Sequence, residues 1–349
     1  MKTYNSIRPG QVWLDTEGKR IQAHGGSIIC VEDTYYWYGE NKEKTDGKSN
    51  KWHWGVKCYS SKDLYNWKDE GIIIPPDTEN EDSPLHPSTC MDRPHIIYNK
   101  DTKKFVCWLK IMHKDDTQSE TVMTANHILG PYTMVRSGIQ PLHMSAGDFD
   151  LVVDPVDGKG YYYFERVHSE MICADLTDDY TGLTGYYSTH FPQPFPPFVR
   201  EAPAHFYRKG FHYLVTSGTT GYFPNPSQVA CSKCYHGPFE VLGDPHVNDP
   251  SGTSFHSQIC SVFKVPGKKD LYIALADRWL PRLQHIKYED TAKIFEAMFN
   301  PDAPKPDFEG GREELNNTSI ADYVWLPFRF DGKMAYLDWK DEWRIEDYE

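Results

Sequence analysis

One local pattern recurs five times along the 349 residues, and it restricts the possible folds more than any other feature of the chain. A polar residue opens a short apolar run, a turn of Gly, Asp or Lys follows, and the chain returns as an aromatic-rich run. The first unit is His24-Gly25-Gly26-Ser27-Ile28-Ile29-Cys30-Val31, answered by Tyr35-Tyr36-Trp37-Tyr38-Gly39-Glu40. The others open at Asp92, Asp148, Glu201 and Gln258, and the openers stand between 53 and 68 positions apart. Helical periodicity is almost absent. A repeat of this length, holding several short strands, predicts an all-β fold: a five-bladed β-propeller spanning residues 1–349 as one domain.

The outer half of each unit is also legible. Trp54 to Trp67 reads as a strand, a turn and the Trp of an outer strand. Thr121 to Ala125 followed by Gly130-Pro131-Tyr132 repeats that layout, as does Gln228 to Cys231 followed by Gly237-Pro238-Phe239. Tyr323 to Phe330 and Met334 to Trp339 are expected to complete the last blade. Two stretches break the pattern. Asn41 to Lys51 is polar and reads as a loop at a pocket rim. Gln284 to Glu314 reads as an insertion within the last blade, with a helix over Tyr288 to Phe299, and it either walls a subsite or ornaments the surface.

The formal charge of −13, with no long run of Lys or Arg, argues against nucleic acid as a partner. No stretch approaches the roughly 18 apolar residues of a membrane span, and the first residues lack the apolar core of a secretory signal. The expectation is a soluble, cytoplasmic protein, secreted only if a leader has been removed. Eight Cys are scattered through the chain. Cys231 and Cys234 have redox or metal spacing, but no second pair or His cluster completes a zinc site. Aromatic residues reach 14% of the chain, including 23 Tyr and 10 Trp. They suit pleated surfaces and also the faces of sugar rings.

In a propeller the innermost strand of each blade starts near the axis, so the five openers are expected to converge on one pocket. Asp92, Asp148 and Glu201 would then place three carboxyls in a confined space. Their mutual repulsion raises at least one pKa, as a general acid at neutral pH requires. Glycosidic hydrolysis needs such an acid, together with a group on the opposite face that aims water or attacks directly. Trp54, Tyr222 and Trp279 are candidates for stacking on a sugar. Arg93 and Arg278 are expected to pair with nearby carboxylates.

The ordered series His24-Gly25-Gly26, Tyr36-Trp37-Tyr38-Gly39-Glu40, Asp92-Arg93-Pro94, Asp148 ahead of Asp154-Pro155, Glu201-Ala202-Pro203, Gly221-Tyr222-Phe223-Pro224, Ser257-Gln258 and Asp277-Arg278-Trp279 resembles glycoside hydrolase family 43. Within it the series is most similar to the exo-β-1,3-galactanase-like branch. That family comprises inverting, five-bladed enzymes with a base on blade one, a pKa-modulating Asp on blade three and an acid Glu on blade four. The resemblance implies Glu201 as general acid and Asp148 as modulator. Blade one departs from the common Asp-Pro opening, since it reads His24-Gly25-Gly26. The branch shares that departure, and the resemblance implies that Gln258 positions the attacking water. Asp92 stands where the branch usually has Glu and is expected in the glycone subsite with Glu40, His24 and Asp277.

The implied function is exo-acting release of terminal galactose from polysaccharide side chains. An α-L-arabinofuranosidase or β-D-galactofuranosidase is the alternative within the class. A carbohydrate-binding propeller without catalysis is the alternative outside it. No cofactor is required on this reading. A central-channel Ca²⁺ is implied by the resemblance alone, and oligomeric state is not legible.

Overall fold

The computed structural model describes residues 3–305 and 317–349. Five sheets each descend outward from an inner strand, and the first four are antiparallel in order of sequence. Blade one is β1 (His24–Val31), β2 (Thr34–Glu40), β3 (Val56–Ser61) and β4 (Lys68–Ile74). Blade two is β5 (Cys90–Asn99), β6 (Lys104–Met112), β7 (Gln118–Ala125) and β8 (Thr133–Ile139). Blade three is β9 (Ala146–Val153), β10 (Gly160–Arg166), β11 (Glu170–Leu176) and β12 (Leu183–His190). Blade four is β13 (Arg200–Arg208), β14 (Phe211–Gly218), β15 (Gln228–Ser232) and β16 (Glu240–Gly243). Blade five has a fifth strand: β17 (His246–Val247) lies parallel to β21 (Met334–Asp338), outside β20 (Asp322–Asp331), β19 (Tyr272–Arg278) and β18 (Gln258–Lys264).

The inner strands β1, β5, β9, β13 and β18 pack side by side in a closed ring. Radial closure of this kind leaves only short outer edges. The ring is latched where the ends of the chain meet. Ile7 N–H donates to Trp343 O at 2.9 Å, and Trp343 N–H returns to Ile7 O at 3.0 Å. Behind that latch Trp13, Trp37, Trp67, Tyr323 and Trp325 form a cluster between blades one and five. Trp37 meets Trp325 edge-on, with centroids 4.5 Å apart, and Trp67 at 5.3 Å. Trp67 and Trp325 are both 1% exposed. Such rings bury large areas, and their edge-to-face contacts contribute beyond area alone. Much of the aromatic excess is therefore packing.

The helix falls where the spacing predicts it: α1 (Tyr288–Phe299) lies in the connection from β19 to β20. Residues 306–314 of the expected insertion lie outside the described residues. All eight Cys are free thiols, Cys231 and Cys234 included.

Candidate active site

Each inner strand carries a register irregularity where it enters the pocket. The shifts fall between His24 and Ser27, Asp92 and His95, Glu201 and Ala204, and Ile259 and Ser261. In β9 the shift spans Asp148, between the pairs Arg166–Ala146 and Phe164–Phe149. A bulge bends the strand and re-aims one side chain. In three blades the residue after the opener takes a left-handed backbone: Gly25 (φ 61°), Arg93 (φ 54°) and Ala202 (φ 48°). Glycine adopts that region freely, whereas Arg93 and Ala202 hold it at a cost, as residues at functional sites often do.

The result is a cavity of about 200 Å³ walled by Glu40, Trp52, Asp92, Arg93, Lys110, Met112, Asp148, Glu201, Gly221, Tyr222, Gln258 and Trp279. Asp148 is clamped between two cations. Arg93 Nη2 donates to its Oδ2 at 2.7 Å and Lys110 Nζ to its Oδ1 at 2.8 Å. Burial alone would raise this carboxyl, but the two cations outweigh it and hold Asp148 well below the usual carboxylate range. Glu201 is pushed the opposite way. Burial raises it well above its ordinary value, and the nearby charges of Asp148 and Glu165 add to the shift, against a smaller opposing pull from Lys110 and Arg93. Two carboxyls in one pocket thus differ in proton affinity by design of their surroundings.

Gln258 joins these groups. Its Oε1 accepts from Arg93 Nη2 at 2.6 Å and Trp279 Nε1 at 3.1 Å, and its Nε2 donates to Glu201 Oε1 at 3.2 Å and Ser217 Oγ at 3.0 Å. Arg and Trp can only donate, so the amide oxygen must face them. The Nε2–H that reaches Glu201 then occupies Oε1 as acceptor, which leaves Oε2 to carry the acid proton.

On the other side Glu40 is 1% exposed and takes the Arg93 backbone N–H at 2.9 Å. Burial pushes it up to about 7, against the pull of Lys42, whose Nζ lies 2.7 Å away. Asp92 accepts from Trp52 Nε1 at 2.6 Å. Burial opposes its ionisation, but Lys110, Lys42 and that N–H together hold it below its ordinary value. Trp52 stacks on Tyr222, with ring centroids 5.7 Å apart, and Tyr222 meets Trp279 at 5.1 Å. These three rings form an aromatic wall.

Of the residues expected here, Glu201, Asp148, Gln258, Asp92, Glu40, Tyr222 and Trp279 line the cavity. Three do not. His24 is fully buried behind it, with Nδ1 2.8 Å from Asp277 Oδ1 and its ring stacked on Tyr323 at 4.8 Å. Asp277 also takes the Gly25 N–H at 2.9 Å, so both of its oxygens are committed to blade one. The left-handed turn at Gly25 withdraws His24 from the axis, and Glu40 fills the space. A Cβ on Gly25 would stand 2.4 Å from Glu40 Oε1. Trp54 lies outside the wall under Lys44 Nζ, 3.2 Å from its ring centroid, and Trp52 takes the stacking position instead. The loop expected at the rim begins inside the protein, where Asn41 and Lys42 are fully buried, and its tip from Asp46 to Lys51 is mostly exposed. Arg93 pairs with Asp148 as expected, but Arg278 donates to the Phe255 and His256 carbonyls.

Lys110, Lys42, Trp52 and Ser217 were not expected from the sequence. Lys110 had a readable signal: it is a charge set between the apolar runs Phe105-Val106-Cys107-Trp108-Leu109 and Ile111-Met112, in a strand otherwise suited to the core. Among the described residues no three His, Cys, Asp or Glu side chains converge as ligands. Asp150, on the inner strand β9 outside the pocket wall, takes the His205 N–H on Oδ2 at 2.6 Å, while its buried Oδ1 stands 3.0 Å from His95 Nδ1 without a hydrogen bond among the described residues.

A five-bladed propeller with a buried, proton-holding carboxyl and an ionised one in a single aromatic-walled pocket defines the architecture of a glycoside hydrolase. The chain belongs to glycosyl hydrolases family 43, whose family model matches residues 21–279. Among solved structures, a family 43 β-1,3-galactosidase shares 30% identity at a TM-score of 0.78, covering 99% of this chain and 65% of that one. A second β-1,3-galactosidase of the family, solved with galactodeoxynojirimycin, shares 28% identity at 0.78, covering 97% of this chain and 100% of the other. An exo-β-1,3-galactanase from Clostridium thermocellum shares 27% at 0.74, with 97% and 66% covered. The chain thus spans about two thirds of the first and third of these proteins and the whole of the second. No curated protein sequence matches it.

Proposed function

We propose that this chain is an exo-acting, inverting glycoside hydrolase that releases terminal galactose from β-1,3-linked galactan. The observation that carries the reading is the opposed pair in one pocket: Glu201 kept protonated by burial, Asp148 kept ionised by Arg93 and Lys110. An acid must hold its proton until the leaving oxygen needs it, and a fixed neighbouring charge keeps that proton affinity high. The small cavity offers room for one sugar ring, which favours attack at a chain end. The resemblance to two β-1,3-galactosidases and an exo-β-1,3-galactanase at 27–30% identity supports galactose as that ring.

In this mechanism the terminal ring packs on Trp52, Tyr222 and Trp279, and its hydroxyls meet Glu40, Asp92 and Lys110. Glu201 passes its Oε2 proton to the leaving oxygen. Positive charge building on the ring is stabilised by Asp148. Water attacks from the opposite face, oriented by the Gln258 amide. Both lone pairs and both N–H groups of that amide are engaged in the structure, so water must displace one partner. The bonds to Trp279 and Glu201, at 3.1 and 3.2 Å, are the longest. An amide cannot take up a proton as a carboxylate does, so the charge on the sugar supplies the drive; the proton that the water sheds as its C–O bond forms passes to solvent, and Glu201 regains its proton from solvent for the next cycle.

Proton NMR of the first product from β-1,3-galactan tests this reading: inversion predicts α-galactose before mutarotation. β-Galactose appearing first would contradict inversion. Turnover of arabinofuranosides or galactofuranosides with none of galactan would replace the substrate and leave the acid in place.

A further inference from the structure

The proposed reaction leaves α1 unused, although it borders the pocket. The helix crosses the rim from blade five to blade three. Its first residue is tied down, with Tyr288 N–H donating to Ser251 O at 3.0 Å. Two turns on, Phe295 reaches Gly221, part of the cavity wall: a Cβ there would lie 3.5 Å from the Phe295 ring. Phe223 also meets Phe295 edge-on at 6.3 Å. One turn further, on the same face by i, i+4 spacing, Phe299 meets the His168 ring edge-on at 5.4 Å. His168 sits between β10 and β11, with Nδ1 2.5 Å from Glu165 Oε1. Its Nε2 has no partner among the described residues. Met298 is 67% and Phe299 40% exposed, so the end of α1 that reaches His168 carries two large uncovered apolar side chains.

We propose that α1 and His168 form the aglycone subsite, which holds the second sugar of the substrate chain while the terminal ring lies in the pocket. This rests on the galactoside reading. The second sugar is bonded to the oxygen that Glu201 protonates, so it must emerge over blades three and four, and α1 forms the rim there. The surface is continuous with the cavity through Gly221. Its chemistry suits a sugar: Phe299 and Met298 offer an apolar face to ring C–H groups, and His168 Nε2 offers a polar partner to a hydroxyl.

The test is calorimetric binding of galactose and of β-1,3-galactobiose to Glu201→Gln, alone and combined with Met298→Ala/Phe299→Ala or with His168→Gln. Both sets keep the fold if Tm is unmoved, which the exposure of the helix residues predicts. The subsite predicts galactobiose binding weakened roughly five- to tenfold, the scale of one lost ring contact, with galactose unchanged. Equal weakening of both sugars, or of neither, would overturn it. If Glu201→Gln binds neither sugar, the galactoside reading fails instead. The same comparison is then made with the mono- and disaccharide of whichever sugar the wild type releases, and equal effects there would overturn the subsite independently.

Discussion

Glu201 and Glu40 are both pushed upward by burial, yet they make different predictions. For Glu201 the protonated form is the active one, so kcat falls as pH rises through its elevated pKa. A pH–rate profile of wild type and Gln258→Ala checks this, because removing the Nε2–H donor to Glu201 takes away a bond to the ionised form and moves that limb further up. Glu40 acts on stability. Its folded value of about 7 exceeds the ordinary 4.5, so the folded state binds the proton more tightly and stability is lost as pH rises through that window. Glu40→Gln is therefore expected to gain in Tm relative to wild type as pH goes from about 5 to about 8, measured by thermal scans at a series of pH values. Gly25→Ala tests the packing beneath it: the added Cβ displaces the Glu40 carboxyl and also forces a left-handed Ala, so substrate binding weakens sharply while the distant blades stay folded. Several of these residues were legible because they open repeats: Asp92, Asp148, Glu201 and Gln258 all enter the pocket from the same strand position. Trp52 and Lys42 were not, because they lie in an irregular loop where no alternation tells which side chain turns inward.

At the scale of strands and blades, period-two patterning and turn residues made blades one, two and four readable, together with the inner pair of the third and the four antiparallel strands of the fifth; β11 and β12 were not read. What escaped in the fifth was β17, two residues long and paired in parallel, too short for any pattern. The bulges escaped too. A shift of one residue reverses which face a side chain takes, and nothing in His24-Gly25-Gly26 distinguishes a His that lines a pocket from one turned onto Asp277. Blade closure carries its own prediction. Trp325 is 1% exposed and touches Trp13, Trp37 and Trp67 from blade five, so Trp325→Ala opens a cavity across the latch. The cost is about 3–5 kcal/mol, read as a lower urea midpoint; a loss below about 1 kcal/mol, the level of a typical surface change, would show that the latch does not depend on this cluster.

Across the whole molecule the repeat count determined the propeller, and the propeller determined where the acids meet. The pocket wall was less accessible where it departs from the repeat, as at Trp52, whose indole N–H bonds to Asp92 at 2.6 Å from an irregular loop. The proposed mechanism turns on Glu201 protonating the leaving oxygen. The direct measurement is galactose release from β-1,3-galactan by wild type and Glu201→Gln, beside hydrolysis of an aryl β-galactoside whose leaving group needs little protonation. The expected result is a loss of about 10²–10⁴ on galactan and a far smaller loss on the aryl substrate. Equal losses on the two, or a variant as active as wild type on galactan, would contradict it.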